Sequence, residues 1–186
     1  MEKIILASGS PRRKKILEDA GLNFEIHPSS YEESLKNLDF TYAKIENLAY
    51  NKAITVADEI KEKAIIIGAD TVVVLNNKIL TKPHDKEDAK KMLRSLSNTE
   101  HKVVTGICII NKYTETTKVT SVTTSVRFEN LSDKMIDNYI DTYKPYDKAG
   151  AYGIQELPSG FIKSVDGSLE NVIGLCSKTV INMIKE

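Results

Sequence analysis

The sequence has no excess of either charge, few cysteines and no long apolar run, and each absence excludes a class of protein. Lysine plus arginine and aspartate plus glutamate both number 26, so no overall basic field attracts nucleic acid. No apolar stretch approaches the length that spans a membrane, and the N-terminal MEKIILASGS meets serine and glycine too early for a signal peptide. We therefore expect a cytoplasmic protein without nucleic-acid or membrane partners, in which any anion site is local.

The scarcity of cysteine also argues against a cysteine-ligated zinc site or a disulfide framework. Cys108 and Cys176 have no metal-ligand spacing, and we interpret both as core residues. The chain has 186 residues with no repeat or low-complexity block, which is enough for one sizeable core. We expect a single domain over residues 1–186.

Strand and helix patterns alternate along the chain and predict an α/β protein with a mixed sheet. Strands are expected in KIILAS, NFEIHPS, HKVVTGICIIN and KVTSVTTSVRFENL, with a short one near residues 161–165. Helices are expected after the capping residues Ser10, Asp85 and Ser132, over about residues 41–60, and as one closing helix. The segment AIIIGADTVVVLNNKILTKP predicts a buried strand, an interruption and a hairpin with an Asn-Asn turn.

The segment LASGSPRRKKIL carries the most informative local pattern. A strand-like run ends in Ser-Gly-Ser-Pro, and the next helix begins with four cations, at the end where the helix dipole repels positive charge. The backbone N–H groups of Arg12, Arg13 and Lys14 are expected to lack intrahelical partners, so this corner can bind phosphate. We predict a phosphate site formed by Ser10, Arg12 and Arg13. The alternative is a solvated basic turn, the interpretation that we give to Lys14 and Lys15.

Two further charges fall where apolar residues are expected. Asp70 lies in the most apolar stretch of the chain, so its carboxylate must be paired, bind a cation or lie at a strand end. Next to a phosphate site it is a candidate general base or metal ligand, whereas on its own it could equally be a structural residue in a tight Gly-Ala-Asp-Thr turn. Lys52 lies on the inward stripe of its helix, and it either extends to solvent or reaches the same anion.

Lys82 and an acidic loop complete the set of candidate residues. Lys82 precedes Pro83 at the end of the hairpin and is a fourth candidate cation for the anion. Glu32 and Glu33 are adjacent loop carboxylates of the kind that hold Mg²⁺, although most acidic loops are simply solvated. In the resulting hypothesis, a metal held by Glu33, with Asp70, bridges phosphate oxygens. Asp70 then orients a water at the α-phosphorus, opposite the pyrophosphate leaving group.

Several linked motifs together resemble one known family. LASGSPRRKKIL, the EES loop, LAYNKA, IIGADTVV, TKP, HKVVTGICI and YDKAGAYGIQ occur in the order and spacing of the Maf-like nucleotide pyrophosphatases, over about residues 6–175. The resemblance implies a fold similar to that of the inosine-triphosphate pyrophosphatases, with an elongated mixed sheet and two lobes around a nucleotide cleft. It further implies hydrolysis of a nucleoside triphosphate to a monophosphate and pyrophosphate with a divalent metal, Mg²⁺ or Mn²⁺.

Three positions place the sequence with the family branch that prefers dTTP and UTP, rather than the branch that prefers 7-methyl-GTP. The resemblance implies Arg13, Thr71 and Gln155 as specificity residues and Asp70 as proton acceptor, with modified uridine triphosphates as further candidate substrates. A glutamine can flip to suit either uracil or cytosine, so Gln155 alone cannot choose between these bases, and Thr71 or a backbone group is expected to fix the choice. Glu156 follows it where the family usually has glycine, and could place a charge near the base pocket.

The alternative function is a nucleotide-binding regulator of cell division and septum formation that no longer hydrolyses. Such a protein needs the phosphate-binding cations but not Asp70, so the presence of Asp70 favours the enzyme. A homodimer is compatible with the sequence, which contains no signal that decides the oligomeric state.

Overall fold

Strands and helices alternate along the computed structural model of the protein, which describes residues 2–32 and 37–186. Within these residues the strands are β1 (Ile4–Leu6), β2 (Glu25–Ile26), β3 (Ile65–Leu75), β4 (Lys78–Leu80), β5 (Glu100–Asn111), β6 (Thr116–Phe128) and β7 (Ile162–Asp166). The helices are α1 (Pro11–Asp19), α2 (Tyr42–Glu59), α3 (Lys86–Leu96), α4 (Asp133–Tyr143), α5 (Leu169–Ile173) and α6 (Ser177–Lys185). Two short 3₁₀ turns, Ala149–Ala151 and Ile154–Glu156, lie between α4 and β7. None of the described helices combines the length and hydrophobicity that crossing a bilayer requires.

One mixed sheet joins all the strands in the described part of the chain. Its order is β2-β1-β3-β5-β6-β7, and β4 pairs with the end of β3 as a hairpin. β1 is parallel to both β2 and β3, whereas the other pairs are antiparallel. The predicted mixed sheet of an α/β protein is confirmed, and the long strands β3, β5 and β6 form its centre.

Helices cover both faces of this sheet, because side chains alternate between faces along each strand. On one face α2 packs against Ile66, and on the other α1 and α6 pack against Ile65 and Ile67. A further apolar cluster around Phe128 and Tyr139 joins α3 and α4 to the far end of the sheet. The continuous apolar run of β3 is therefore explained by burial on both of its faces.

The predicted interruption within AIIIGADTVVVL is wrong. β3 runs unbroken through Asp70 and Thr71, which pair in register with Gly106 and Thr105 of β5. Because the backbone of Asp70 belongs to a sheet, the alternative of a tight Gly-Ala-Asp-Thr turn is wrong as well. The predicted hairpin turn is confirmed, since residues 76–77 have φ angles of 49° and 62°, as a two-residue turn of this kind requires.

The C-terminal segment contains two helices where one closing helix was expected. α5 ends at Ile173, and the next residue, Gly174, has a φ of 146° that is strained for any residue with a side chain. The chain then changes direction, and α6 begins at Ser177. This break directs the Gly174 carbonyl towards α1, where it accepts a hydrogen bond from Arg13.

Two glycines in the centre of the sheet allow the backbone of α2 to lie directly against it. A Cβ atom added to Gly68 would lie 2.3 Å from the carbonyl oxygen of Ala49, and one added to Gly106 would lie 2.4 Å from that of Ile45. Both distances are far below any real contact of a Cβ atom, and the neighbouring atoms belong to helix backbone that cannot rotate away. The two glycines therefore set the height of α2 above β3 and β5.

We expect the substitution Gly106→Ala to destabilise the protein by about 3 kcal/mol or more, because the added methyl group must push α2 away from the sheet. Urea unfolding measures the change. Gly9→Ala is the matched control, since its added Cβ would meet only Pro28 side-chain atoms at 3.6 and 3.7 Å. Equal stability of the two variants would contradict the close approach of α2.

His101 is a buried polar residue within the cluster around Phe128. Its Nε2 atom lies 2.7 Å from the Tyr152 hydroxyl, and its ring packs edge-on against Phe128 with centroids 5.0 Å apart. Burial lowers the pKa of His101 from 6.5 to about 4. The folded protein therefore keeps this imidazole neutral at pH values where the unfolded chain protonates it.

The lowered pKa of His101 predicts that the folded protein loses stability as the pH decreases from about 6.5 to about 4. The unfolded state binds one more proton than the folded state in that window, so acid favours unfolding, by roughly 3 kcal/mol at its lower end. Denaturant unfolding of the wild type and of His101→Gln at pH 7 and pH 4 measures this contribution. The stability difference between the two proteins should shrink at pH 4, and a constant difference would refute the assignment.

Candidate active site

One cleft collects eight of the residues that the sequence predicted for the site, whereas Glu32 of the acidic loop is not among its described lining residues. The cleft lies between the N-terminus of α1, the middle of β3 and the segment of residues 147–156. The predicted residues that line it are Ser10, Arg12, Arg13, Lys52, Asp70, Thr71, Lys82 and Gln155. Glu33, the predicted metal ligand, lies outside the described residues. Residues predicted from five separate segments of the chain are thus brought together by the fold.

The N-terminus of α1 differs from the predicted phosphate corner in its backbone hydrogen bonds. Ser10 is the N-cap, and its Oγ accepts from the Arg13 N–H at 3.5 Å. The Lys14 N–H donates to the Ser10 carbonyl at 3.1 Å, so the expectation that this group lacks a partner is wrong. Of the three backbone N–H groups expected to be available, only that of Arg12 has no hydrogen-bond acceptor among the described residues. Any anion at this corner therefore relies more on side chains than on backbone donors.

Arg13 connects three separate segments of the chain through its guanidinium. Its Nε donates to the Gly174 carbonyl at 3.0 Å, its Nη1 to Ser8 Oγ at 3.2 Å and its Nη2 to Thr71 Oγ1 at 3.2 Å. Five N–H donors in a fixed plane suit arginine to this role better than lysine. The side chain is therefore held in one orientation at the wall of the cleft.

Thr71 is held in the same network as Arg13. Its Oγ1 lies 2.9 Å from Thr105 Oγ1 on the adjacent strand and donates to the Gly174 carbonyl at 3.1 Å. With the bond from Arg13, three protein groups surround this hydroxyl. The two residues thus form one unit in which Thr71 fixes the position of Arg13.

Lys52 and Asp70 form an ion pair at the base of the cleft. The Nζ atom of Lys52 contacts Oδ1 of Asp70, and the two side chains are only 13% and 7% exposed. Of the three outcomes expected for the Asp70 carboxylate, pairing is the one that the structure shows, and the alternative that Lys52 simply extends into solvent is wrong. In such a water-poor position a charge pair interacts more strongly than on the surface, and each charge depends on the other.

The Maf-like protein family model matches residues 3–186 of this chain. The chain belongs to the Maf-like family. Three relatives, each carrying the name dTTP/UTP pyrophosphatase, come from Ruminiclostridium cellulolyticum, Clostridium perfringens and Alkaliphilus metalliredigens. The Ruminiclostridium protein is 43% identical, over 100% of this chain and 96% of its own length. The Clostridium protein is 46% identical, over 93% of this chain and 91% of its own length. The Alkaliphilus protein is 45% identical, over 94% of this chain and 91% of its own length.

Among solved structures, the Maf-like chain is similar to a nucleoside-triphosphatase / dITP/XTP pyrophosphatase from Mycobacterium abscessus. The TM-score is 0.49 at 14% sequence identity, over 98% of this chain and 93% of that one. A similarity of this size adds nothing to the family assignment.

The Maf-like cleft also contains a charged group that sequence reasoning missed. Lys148 is nine-tenths buried, and its Nζ lies 2.9 Å from Asp147 Oδ1 and 3.2 Å from Glu156 Oε2. Burial raises the pKa of Asp147, but the hydrogen bond from Lys148 and the positive charges of Lys148 and Arg12 outweigh burial, so the pKa is lowered overall. The available signal was the motif YDKAGAYGIQ itself, from which sequence reasoning assigned Gln155 to the site but not Lys148.

Proposed function

We propose that this Maf-like hydrolase cleaves nucleoside triphosphates, dTTP and UTP above others, to the monophosphate and pyrophosphate. The proposal rests on one observation: a single cleft is lined by the four cationic side chains predicted for it and by the carboxylate of Asp70. These cationic residues are Arg12, Arg13, Lys52 and Lys82. The names of the relatives support the choice of substrate.

The charge of the cleft supports a polyanionic substrate. The chain as a whole has zero formal net charge, yet cations outnumber carboxylates among the lining residues. Of these cations, Arg12 and Lys82 have no ion pair within the described part of the chain. Their charges are thus available to phosphate oxygens, where arginine can bind in a bidentate manner.

Asp70 is the candidate proton acceptor for the attacking water. The rigid β3 backbone holds its carboxylate within the cleft, beside the Lys52 ammonium. A triphosphate oxygen could take the place of Asp70 beside this ammonium, which would leave the carboxylate to face the attacking water. In-line attack at the α-phosphorus then needs the water and the leaving pyrophosphate on opposite sides.

A divalent cation, Mg²⁺ or Mn²⁺, belongs to the same proposal. The described residues contain no group of three metal-ligating side chains. Mg²⁺, however, typically takes only one or two carboxylates together with water and substrate phosphates, so the Asp70 carboxylate fits such a site. Asp70 and Glu33 would hold the ion, which supplies charge neutralisation on the phosphate oxygens.

Pyrophosphate release from a panel of nucleoside triphosphates tests the proposed function. We expect dTTP and UTP to be hydrolysed faster than CTP, ATP and 7-methyl-GTP, by about 5- to 150-fold in kcat/KM, since one base contact discriminates by about 1–3 kcal/mol. The reactions contain Mg²⁺ or Mn²⁺, with a chelator as the control. Nucleotide binding without pyrophosphate release would instead favour the non-hydrolysing regulator, and equal rates on purines would contradict the substrate preference.

The substitution Asp70→Asn tests the role of the carboxylate. We expect dTTP turnover to fall by about 10²–10⁴-fold, because the amide cannot accept the proton of the attacking water. The variant also removes the Asp70 anion that pairs with the largely buried Lys52, so we expect a loss of about 1–3 kcal/mol in stability. Turnover well below the unfolding temperature and urea unfolding separate the two effects.

Asp58→Asn is the matched control for Asp70→Asn, because Asp58 is an exposed carboxylate on the helix that carries Lys52. It should change neither turnover nor stability. If Asp70→Asn retained turnover within a few-fold of the wild type, Asp70 would have no catalytic role.

A further inference from the structure

Glu156 lies in the cleft beside Gln155 with its two carboxylate oxygens in different surroundings. Oε2 is buried, lies 3.2 Å from Lys148 Nζ and has no hydrogen bond within the described residues. The side chain as a whole is 37% exposed, and Glu156 is one of the residues that line the cleft. One carboxylate oxygen is thus anchored beside Lys148 in a side chain that stays partly accessible.

Lys148 and Gly153 hold this carboxylate in place. A Cβ atom at Gly153 would lie 2.9 Å from Cε of Lys148 and 3.3 Å from Oε2 of Glu156, so the absence of a side chain there makes room for both groups. The Gly153 N–H donates to the Tyr139 hydroxyl at 3.1 Å, which ties the turn to α4. Backbone and ion pair together fix the 3₁₀ turn that carries Gln155 and Glu156.

The two neighbouring side chains differ in their hydrogen-bonding abilities. Gln155 has both a donor and an acceptor, and can present either one by flipping its amide. An ionised Glu156 can only accept. On uracil and thymine the O4 carbonyl stands next to an N3–H donor, whereas on cytosine an amino group stands next to a bare N3 acceptor. A flipped Gln155 would match either base, but an acceptor opposite N3 matches only uracil and thymine.

We propose that Glu156, held by Lys148, is a specificity-determining residue that accepts a hydrogen bond from the N3–H of uracil or thymine and so excludes cytosine nucleotides. The inference rests on the proposed function, because it assigns the base contact of that same cleft. It resolves the ambiguity that Gln155 alone leaves open, since the facing lone pairs of a carboxylate and cytosine N3 repel each other.

The substitutions Glu156→Gln and Glu156→Ala test the inference with UTP and CTP as substrates. Glutamine can turn its amide N–H towards cytosine N3, so we expect CTP hydrolysis to rise and the UTP-to-CTP ratio of kcat/KM to fall by about tenfold or more. Alanine removes the acceptor without adding a donor, so the ratio should fall mainly through slower UTP hydrolysis. An increase in CTP activity is a readout that structural damage would not produce.

Glu87→Gln on the exposed surface of α3 is the matched control and should keep the wild-type ratio. The inference is overturned if Glu156→Gln keeps the wild-type ratio, including the case in which UTP and CTP hydrolysis both change by the same factor. If the wild type releases no pyrophosphate from dTTP or UTP, the proposed function fails and the inference fails with it. If instead the wild type is active but its selectivity does not depend on Glu156, the inference fails while the proposed function stands.

Discussion

The ion pair between Lys52 and Asp70 is the constraint on which the arrangement of the cleft depends. A partly desolvated charge pair is stable only while both partners stay in place, because a charge left alone in a water-poor position destabilises the fold. Lys52 is placed by α2, and Asp70 by a central strand paired on both sides. Because Gly68 and Gly106 let the α2 backbone touch the sheet, the pair forms between two elements that cannot easily shift. The packing of α2 against the sheet therefore determines whether the Lys52–Asp70 ion pair can form.

The Arg13 network performs a similar task at the wall of the cleft. It joins the first strand-to-helix turn, the middle of β3 and the turn at Gly174. Arg13 and Gly174 are 161 positions apart in the sequence. Such long-range bonds give the cleft a fixed shape before any ligand arrives. Preorganised charge of this kind stabilises a developing anion without further rearrangement, which is what phosphoryl chemistry requires.

Most secondary structure could be predicted from the sequence because its signals are local. Ser10, Asp85 and Ser132 cap their helices as expected, and the Asn-Asn turn joins its hairpin. The unbroken course of β3 could not be predicted, because a charged residue within an apolar run looks like a break when its ion-pair partner is unknown. The two C-terminal helices were missed for a related reason, since a lone glycine in a helical pattern is compatible with either outcome.

The sequence by itself determined which residue types the cleft contains, through motifs whose order and spacing mark the family. Only the tertiary structure decided how these residues pair. Asp70 with Lys52, Arg13 with Thr71, and Lys148 with Glu156 are separated by between 8 and 58 positions along the chain. Helical and strand periodicities say which face a side chain occupies, but not which residue of another element lies opposite. The pairing follows from sheet register and from the height of a helix above the sheet, and both are properties of the packed chain.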